Sequence, residues 1–446
     1  VSISYTDEAL PFTDSPETRN ILTRGISILN RNAAWRWKHN KMASLSYKAL
    51  LDAAITGDGV FYCWWDPDKQ NGHAFDGDIR TDVVDSTNLF VADVSSSDIQ
   101  SQKYVMLAGR ASVDALRQEA LDAGASEADV AKIVADEEID GTYAADFGKC
   151  ELEGEQKATF LIRFFREGGD VIFEKTTKNC LIRRANTGLH LYPIAYFHWH
   201  TTKNCFHGTS SVSDMVANQK CINTAYAMAL KHMSNTAFSK VIYDKTRIPE
   251  WSNEVGEAIG AIGGGSMADA VSVVGVGKMQ DGYLDLISDV IDNTKAMMGA
   301  TDSALGEERA NNTSAIIKLQ TASSMSLEHV RINFAHGIAD LVSIWADMLC
   351  AYCPKERLLQ VINKNGEVSA ETFDYSLLKN ALLNASVHIG SIDRYSPAAT
   401  VATLNKLLDS GHLSAAEYIE LLPQGVLVNR DSLLEKFQKK GVATDE

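Results

Sequence analysis

Three histidines are the densest set of potential ligands in the chain. His198 and His200 flank Trp199 at a strand-like spacing that puts both on one face, and His207 follows closely. Such a trio suits a divalent metal, but no carboxylate pattern accompanies it, so half-buried strand histidines are the preferred reading. Cys350 and Cys353 form a CxxC pair on a helical pattern. No second pair completes four ligands, so two buried helix cysteines are expected rather than zinc. Asp66, Asp68 and Gln70 imitate the opening of a calcium loop, but Asn71 and Gly77 stand where Gly and Glu are needed, which leaves a turn. Before Gly277-Lys278, Ser272 replaces the first glycine of a phosphate loop, and Met279 replaces its Ser/Thr. Gly263–Ala268 matches GxGxxA in letters, without a clear strand before it. Neither HExxH nor GxSxG occurs. No catalytic residue, metal set or cofactor is therefore expected. One basic and aromatic cluster remains: Arg31, Arg36, Lys38, His39, Lys41 and Lys48 with Trp35, Trp37 and Tyr47. It could stack bases and bind phosphates, or meet an acidic protein. The favoured reading is an amphipathic helix with tryptophans packed inward and cations in water.

The elements around these residues follow from periodicity. Residues 15–57 read as helical, with Ser15 as N-cap and Pro16 in the first turn. Residues 59–65 are an apolar, aromatic strand closed by Asp66-Pro67-Asp68. Short strands are expected near 88–93 and 103–108, then two short helices, Ala111–Gly124 and Ser126–Glu138. Residues 121–155 are strongly acidic and read as a solvated excursion. Thr159–Phe165, Val171–Glu174, Cys180–Arg183 and Ile194–Trp199 are candidate strands. A long helix runs from Ser211 to about Lys240, with Val212, Met215, Val216, Gln219, Ile222, Asn223, Tyr226, Leu230 and Met233 as its stripe. A β-containing insert (241–283) follows, with strands Val241–Tyr243 and Val271–Val276 around a flexible Gly260–Gly265 stretch. Next come a helix at Leu284–Met298, a polar Asn-rich segment, and the longest helix, Ser314–Tyr352. Short helices split near Gly411 and Pro423 end the chain.

The chain has 446 residues and a formal net charge of −16, from 42 Lys+Arg and 58 Asp+Glu. Hydrophobic residues make up 45%, the profile of a folded protein rather than a disordered one. The acidity counts against a broad surface that grips phosphate backbones. It leaves open a protein that handles DNA without gripping it. Seven irregularly spaced cysteines suggest reduced thiols, as in a cytosol. No stretch approaches the ~20 apolar residues of a membrane span, and no secretory pattern occurs. The chain begins at Val1 rather than Met, which fits a trimmed or truncated product.

Three segments, and the order of elements above all, resemble the portal proteins of tailed bacteriophages. Leu51–Asp68 (LDAAITGDGVFYCWWDPD) is similar to the wing segment where a helix meets a strand. Tyr192–Leu230, with Pro193, Gly208-Thr209-Ser210, Gln219 and Asn223, resembles the approach to the first stem helix. Leu305–Gln320 resembles the tunnel loop, with Thr313-Ser314-Ala315-Ile316 a relaxed form of a small-residue motif that lacks its Gly. The N-terminal helices usual before the wing are shortened or absent, and 121–155 has no counterpart.

The resemblance implies a mainly helical α+β fold. Its parts are a wing (1–208), first stem helix (209–240), clip (241–283), second stem helix (284–298), tunnel loop (299–313), long helix and wing return (314–390) and crown (391–446). It implies a homo-oligomeric ring, usually a dodecamer, at one capsid vertex of the virion, assembled in the host bacterial cytoplasm. Double-stranded DNA would pass through without sequence specificity, and no membrane is involved. Expected partners are the major capsid protein, the terminase large subunit and a head-completion adaptor. Glu307, Glu308, Arg309, Asn311 and Asn312 would line the channel. Arg247, Trp251, Gly263, Gly264 and Gly265 would present the clip's partner surface. Lys220, Lys231 and Lys240 of one stem helix should face Asp285, Asp289 and Asp292 of the other, within or between subunits. Rival readings are a metal- or nucleotide-dependent enzyme on residues 1–205, and a capsid structural protein without a channel.

Overall fold

The computed structural model describes residues 2–7, 15–69, 77–136, 156–236, 240–252, 254, 259–274, 282–300, 327–353, 355, 357–362, 368–379, 383–388, 397–414, 417–418 and 421–422. The fold is α+β and divides into two compact units. Unit 1 is Val1–Val212 with Glu308–Glu446, and unit 2 is Ser213–Glu307.

Unit 1 opens with strand β1 (Ser2–Asp7) and helix α1 (Pro16–His39). Ser15 caps α1 as expected, its Oγ accepting from the Thr18 amide. The 15–57 region is not one helix. Lys41 adopts a left-handed φ of 52°, and α2 (Met42–Thr56) starts anew. Strands β2 (Asp58–Asp66) and β3 (Asp78–Val84) follow, then β4 (Leu89–Val91) and β5 (Tyr104–Ser112). Helices α3 (Val113–Asp122) and α4 (Glu127–Val130) are separated at Gly124, whose φ of 86° suits glycine. The second helix is much shorter than expected; 137–155, which holds most of the acidic segment, lies outside the described residues. Strands β6 (Lys157–Glu167), β7 (Asp170–Thr177), β8 (Leu181–Asn186) and β9 (Ile194–His198) complete two antiparallel sheets, ordered β3-β2-β9 and β4-β5-β6-β7-β8.

Unit 2 contains α5 (Ser211–Thr236, whose first two residues belong to unit 1), the hairpin of β10 (Lys240–Tyr243) with β11 (Val271–Val274), and α6 (Gly282–Met297). The chain returns to unit 1 with α7 (Glu328–Tyr352); the expected start of this helix, 314–326, lies outside the described residues. Two pairings escaped the sequence reading. Strands β12 (Leu358–Ile362) and β13 (Val368–Thr372) form a hairpin, and β14 (Leu383–His388) pairs antiparallel with β1. Helix α8 (Pro397–Asp409) ends at Gly411, near the expected break; Pro423 lies outside the described residues.

The core of unit 1 is built around α7, which packs on β9, β2 and β14. By length and composition α7 could cross a membrane, but its apolar side chains are spent on this core. Trp345 is fully buried and donates its indole N–H to Thr81 Oγ1 (3.0 Å). Phe334 packs edge-on against Phe197 (5.3 Å), beside Gly337, where a Cβ would come within 2.9 Å of that ring's own Cβ. A smaller core joins α3 and α4 to β6 and β8 through Leu116, Val130, Ala158 and Ile182.

Candidate functional site

The expected histidine trio does not gather as a trio. His198 ends β9, and His200 contributes its backbone, in a bridge with Thr209 (2.9 and 3.2 Å). The carboxylate missing from the local pattern comes from far upstream. Asp58, almost fully buried, accepts at Oδ1 from the Gly208 amide (2.8 Å), and its Oδ2 lies 2.8 Å from His207 Nδ1. His198 Nδ1 is 3.5 Å from Oδ1. Among the described residues no group of three or more such side chains is placed to hold a metal ion. Burial works against the Asp58 carboxylate, but His198, Tyr196, the Gly208 amide and His207 outweigh it and hold its carboxyl below the usual range.

Glycines make this knot possible. Gly57 has φ +104°, and a Cβ there would lie 2.5 Å from the Gly208 carbonyl oxygen. A Cβ on Gly208 would meet the Gly57 and His200 carbonyl oxygens at 2.6 and 2.7 Å. Trp199 N–H donates to Gly57 O (2.8 Å), and the Tyr196 hydroxyl donates to Phe206 O (2.7 Å). The backbone leading to α5 is thus fixed just before the chain passes into unit 2.

Unit 2 is built differently. On α5 the inward face is Asn218, Ile222, Ala225, Ala229 and His232, at spacings of four and three. Asn218 Nδ2 donates to Thr294 Oγ1 of α6 (2.9 Å). Among the described side chains of the two helices, only Ala225, Ala229 and, on α6, Ile287 are buried. This corrects the expected stripe: Val216, Tyr226, Leu230 and Met233 point outward, with Leu230 62% exposed. The small residues serve the contact within the chain, and the bulky ones do not. On α6, Leu284, Leu286 and Met297 are also exposed.

Among the described side chains, the charged residues expected to match do not pair within the chain. No ion pair joins Lys220 or Lys231 to Asp285, Asp289 or Asp292 among the described side chains, and the Lys240 side chain lies outside them. In the insert, Arg247 is a brace: both terminal nitrogens reach Ser266 O (3.4 Å), while its own carbonyl accepts from Ile262 N–H (2.7 Å). Trp251 stacks on Tyr243 (5.3 Å). Gly263 and Gly265 have φ of +99° and +142°, and Gly264 has open space at its Cβ. Glu307, Glu308, Arg309, Asn311 and Asn312 lie outside the described residues.

The basic and aromatic cluster is also corrected. Arg36 is not in water; it is 1% exposed and donates to Asp78 Oδ1 (2.7 Å). Arg31 pairs with Glu371, Trp35 stacks on His39 (4.4 Å), and Trp37 packs partly against the core. Cys350 and Cys353 are half-buried thiols outside any disulfide, one in α7 and one as its C-cap. Burial pushes them up to about 12 and about 11. The missed residues, Asp58 and Asp78, carried one local signal: Asp58 sits between two glycines at a helix–strand junction.

Residues 192–388 match the family described as the phage P22-like portal protein. Over this stretch the chain is similar to that portal family. The stretch begins at Tyr192, takes in all of unit 2 and α7, and ends at His388 of β14. It contains His198, His207 and Gly208, whereas their partner Asp58 lies upstream of it. The portal family is a structural one, and what that family implies is a homo-oligomeric ring at the portal vertex of a capsid. No curated protein matches the chain.

Proposed function

We propose that this chain is a portal subunit whose ring, a dodecamer, conducts double-stranded DNA into and out of a phage capsid. The observation that carries the reading is unit 2: α5 and α6 bury three side chains and leave their bulkiest apolar residues outward. A helix pair of this kind needs neighbours on both sides, and a closed heterologous ring supplies them. Unit 2 supplies the stem (α5 and α6) and the clip (the β10–β11 insert), and the wing lies in unit 1. The Lys220, Lys231 and Lys240 face then meets Asp285, Asp289 and Asp292 across subunits.

Glu307, Glu308, Arg309, Asn311 and Asn312 form the tunnel loop against the DNA. The clip, braced by Arg247 and hinged at Gly263–Gly265, docks first the terminase large subunit and then the adaptor, while the major capsid protein surrounds the ring. The net charge of −16 per subunit suits a conduit, since like charge keeps a moving polyanion from adhering to the wall. The test is direct. Purified protein imaged by negative stain should show turbine-like rings with a central hole, at a mass above half a megadalton by the arithmetic of twelve 48.7 kDa subunits. A monomer or dimer would defeat the reading. Deleting residues 307–312 should leave rings intact but impair packaging or DNA retention; unchanged packaging would remove the tunnel-loop assignment.

A further inference from the structure

Among the described residues of unit 1, the buried cations around Asp78 outnumber the carboxylates that pair with them. Asp78, 1% exposed, sits among three cations. Arg36 Nη1 donates to its Oδ1 (2.7 Å), Lys69 Nζ to its Oδ2 (3.3 Å), and Arg357 Nη2 stands 3.9 Å from Oδ1. Arg36 and Arg357 are 1% and 2% exposed, so solvent does not dissipate their charge. Arg357 Nε and Nη1, and Arg36 Nε, have no hydrogen-bond partner among the described residues. Arg357 also lies over the Trp65 ring (5.3 Å), a contact that offsets part of one charge only.

A guanidinium stays protonated in a protein, so this surplus cannot be relieved by losing a proton. A buried charge with unpaired donors costs several kcal/mol, and a small anion is the group that matches two such donors at once. We propose that the Arg36–Arg357 pair binds a small inorganic anion of the halide class on the side away from Asp78. The surrounding charges are consistent with one such ion. Glu371 and Asp374 are engaged elsewhere, with Arg31 and with Lys355. Tyr375 is fully buried beside Arg36 with an unpartnered hydroxyl; burial suppresses its ionisation, so it remains a donor. The ion would tie together α1, the β2–β3 hairpin and the segment leading into β12.

The test uses the full chain at constant ionic strength, with sodium chloride replaced by sodium gluconate. Chloride should raise the melting temperature of the wild type by about 3 °C at roughly ten times its dissociation constant. Arg357→Met should abolish that response and, in gluconate, melt no lower than the wild type, because it deletes an uncompensated charge while keeping an apolar stem. Crystals grown in bromide provide a second readout, independent of how the variant folds: an anomalous peak within hydrogen-bond reach of both guanidiniums. A chloride response that survives Arg357→Met, or bromide crystals with no peak there, would overturn the proposal.

Discussion

Helices α7 and α5 are nearly equal in length, 25 and 26 residues, yet they sit in opposite environments. Along α7, eleven residues are buried, including Phe334, Leu341, Trp345 and Met348. Along α5, only Ala225 and Ala229 are. Unit 1 completes its core within one chain, whereas unit 2 keeps small residues for its own contact and turns large ones outward. In the proposed ring, stability and assembly are therefore carried by different side chains, and each should be breakable separately.

The largest effect should come from unit 2. Replacing Leu230 and Met233 together by Glu should abolish oligomers in light scattering. The thermal transition of unit 1 should move little, since both residues are exposed. Loss of folding instead would erase the distinction between the units. Trp345→Ala should do the reverse, costing about 3–5 kcal/mol in urea unfolding by opening a core cavity and leaving Thr81 without its donor. A smaller effect is expected at the glycine–carboxylate knot, where Asp58→Asn should cost about 1–3 kcal/mol. The folded carboxyl of Asp58 is held below its unfolded value. Its contribution is thus fully present above about pH 4 and lost as pH falls through the lower folded value. The variant should show a flatter acid limb in a melting-temperature profile, and an unchanged limb would refute the assignment. At the small end, Glu371→Gln removes a partly exposed pair with Arg31 and should cost at most about 1 kcal/mol, less in high salt.

Local chemistry was readable from the residues, and distant partnership was not. The Ser15 cap, the Gly124 break and the aromatic run 59–65 stand where turn chemistry and strand periodicity put them, because each depends on neighbours a few residues away. The break at Lys41 was missed because no Gly or Pro marks it. Arg36 was assigned to solvent because Asp78 lies beyond the helix that carries it. Asp58 was passed over because its partner His207 lies 149 residues further along the chain. On α5 the period was right and the face was wrong: the apolar stripe was found, but a sequence does not state whether it meets its own chain or another.

Strand β1 pairs with β14 from Ser2↔His388 to Asp7↔Leu383, and Tyr5 donates its hydroxyl to Val342 O (2.7 Å). A ribosome adding about 5–20 residues per second exposes β1 well before its partner exists, a wait on the order of tens of seconds. During that interval the strand has an open edge, and closing so long a loop is entropically slow. Translation order thus gives each subunit a clock: the sheet closes only after both helices of unit 2 have been synthesised, so a polypeptide still on the ribosome lacks its finished body.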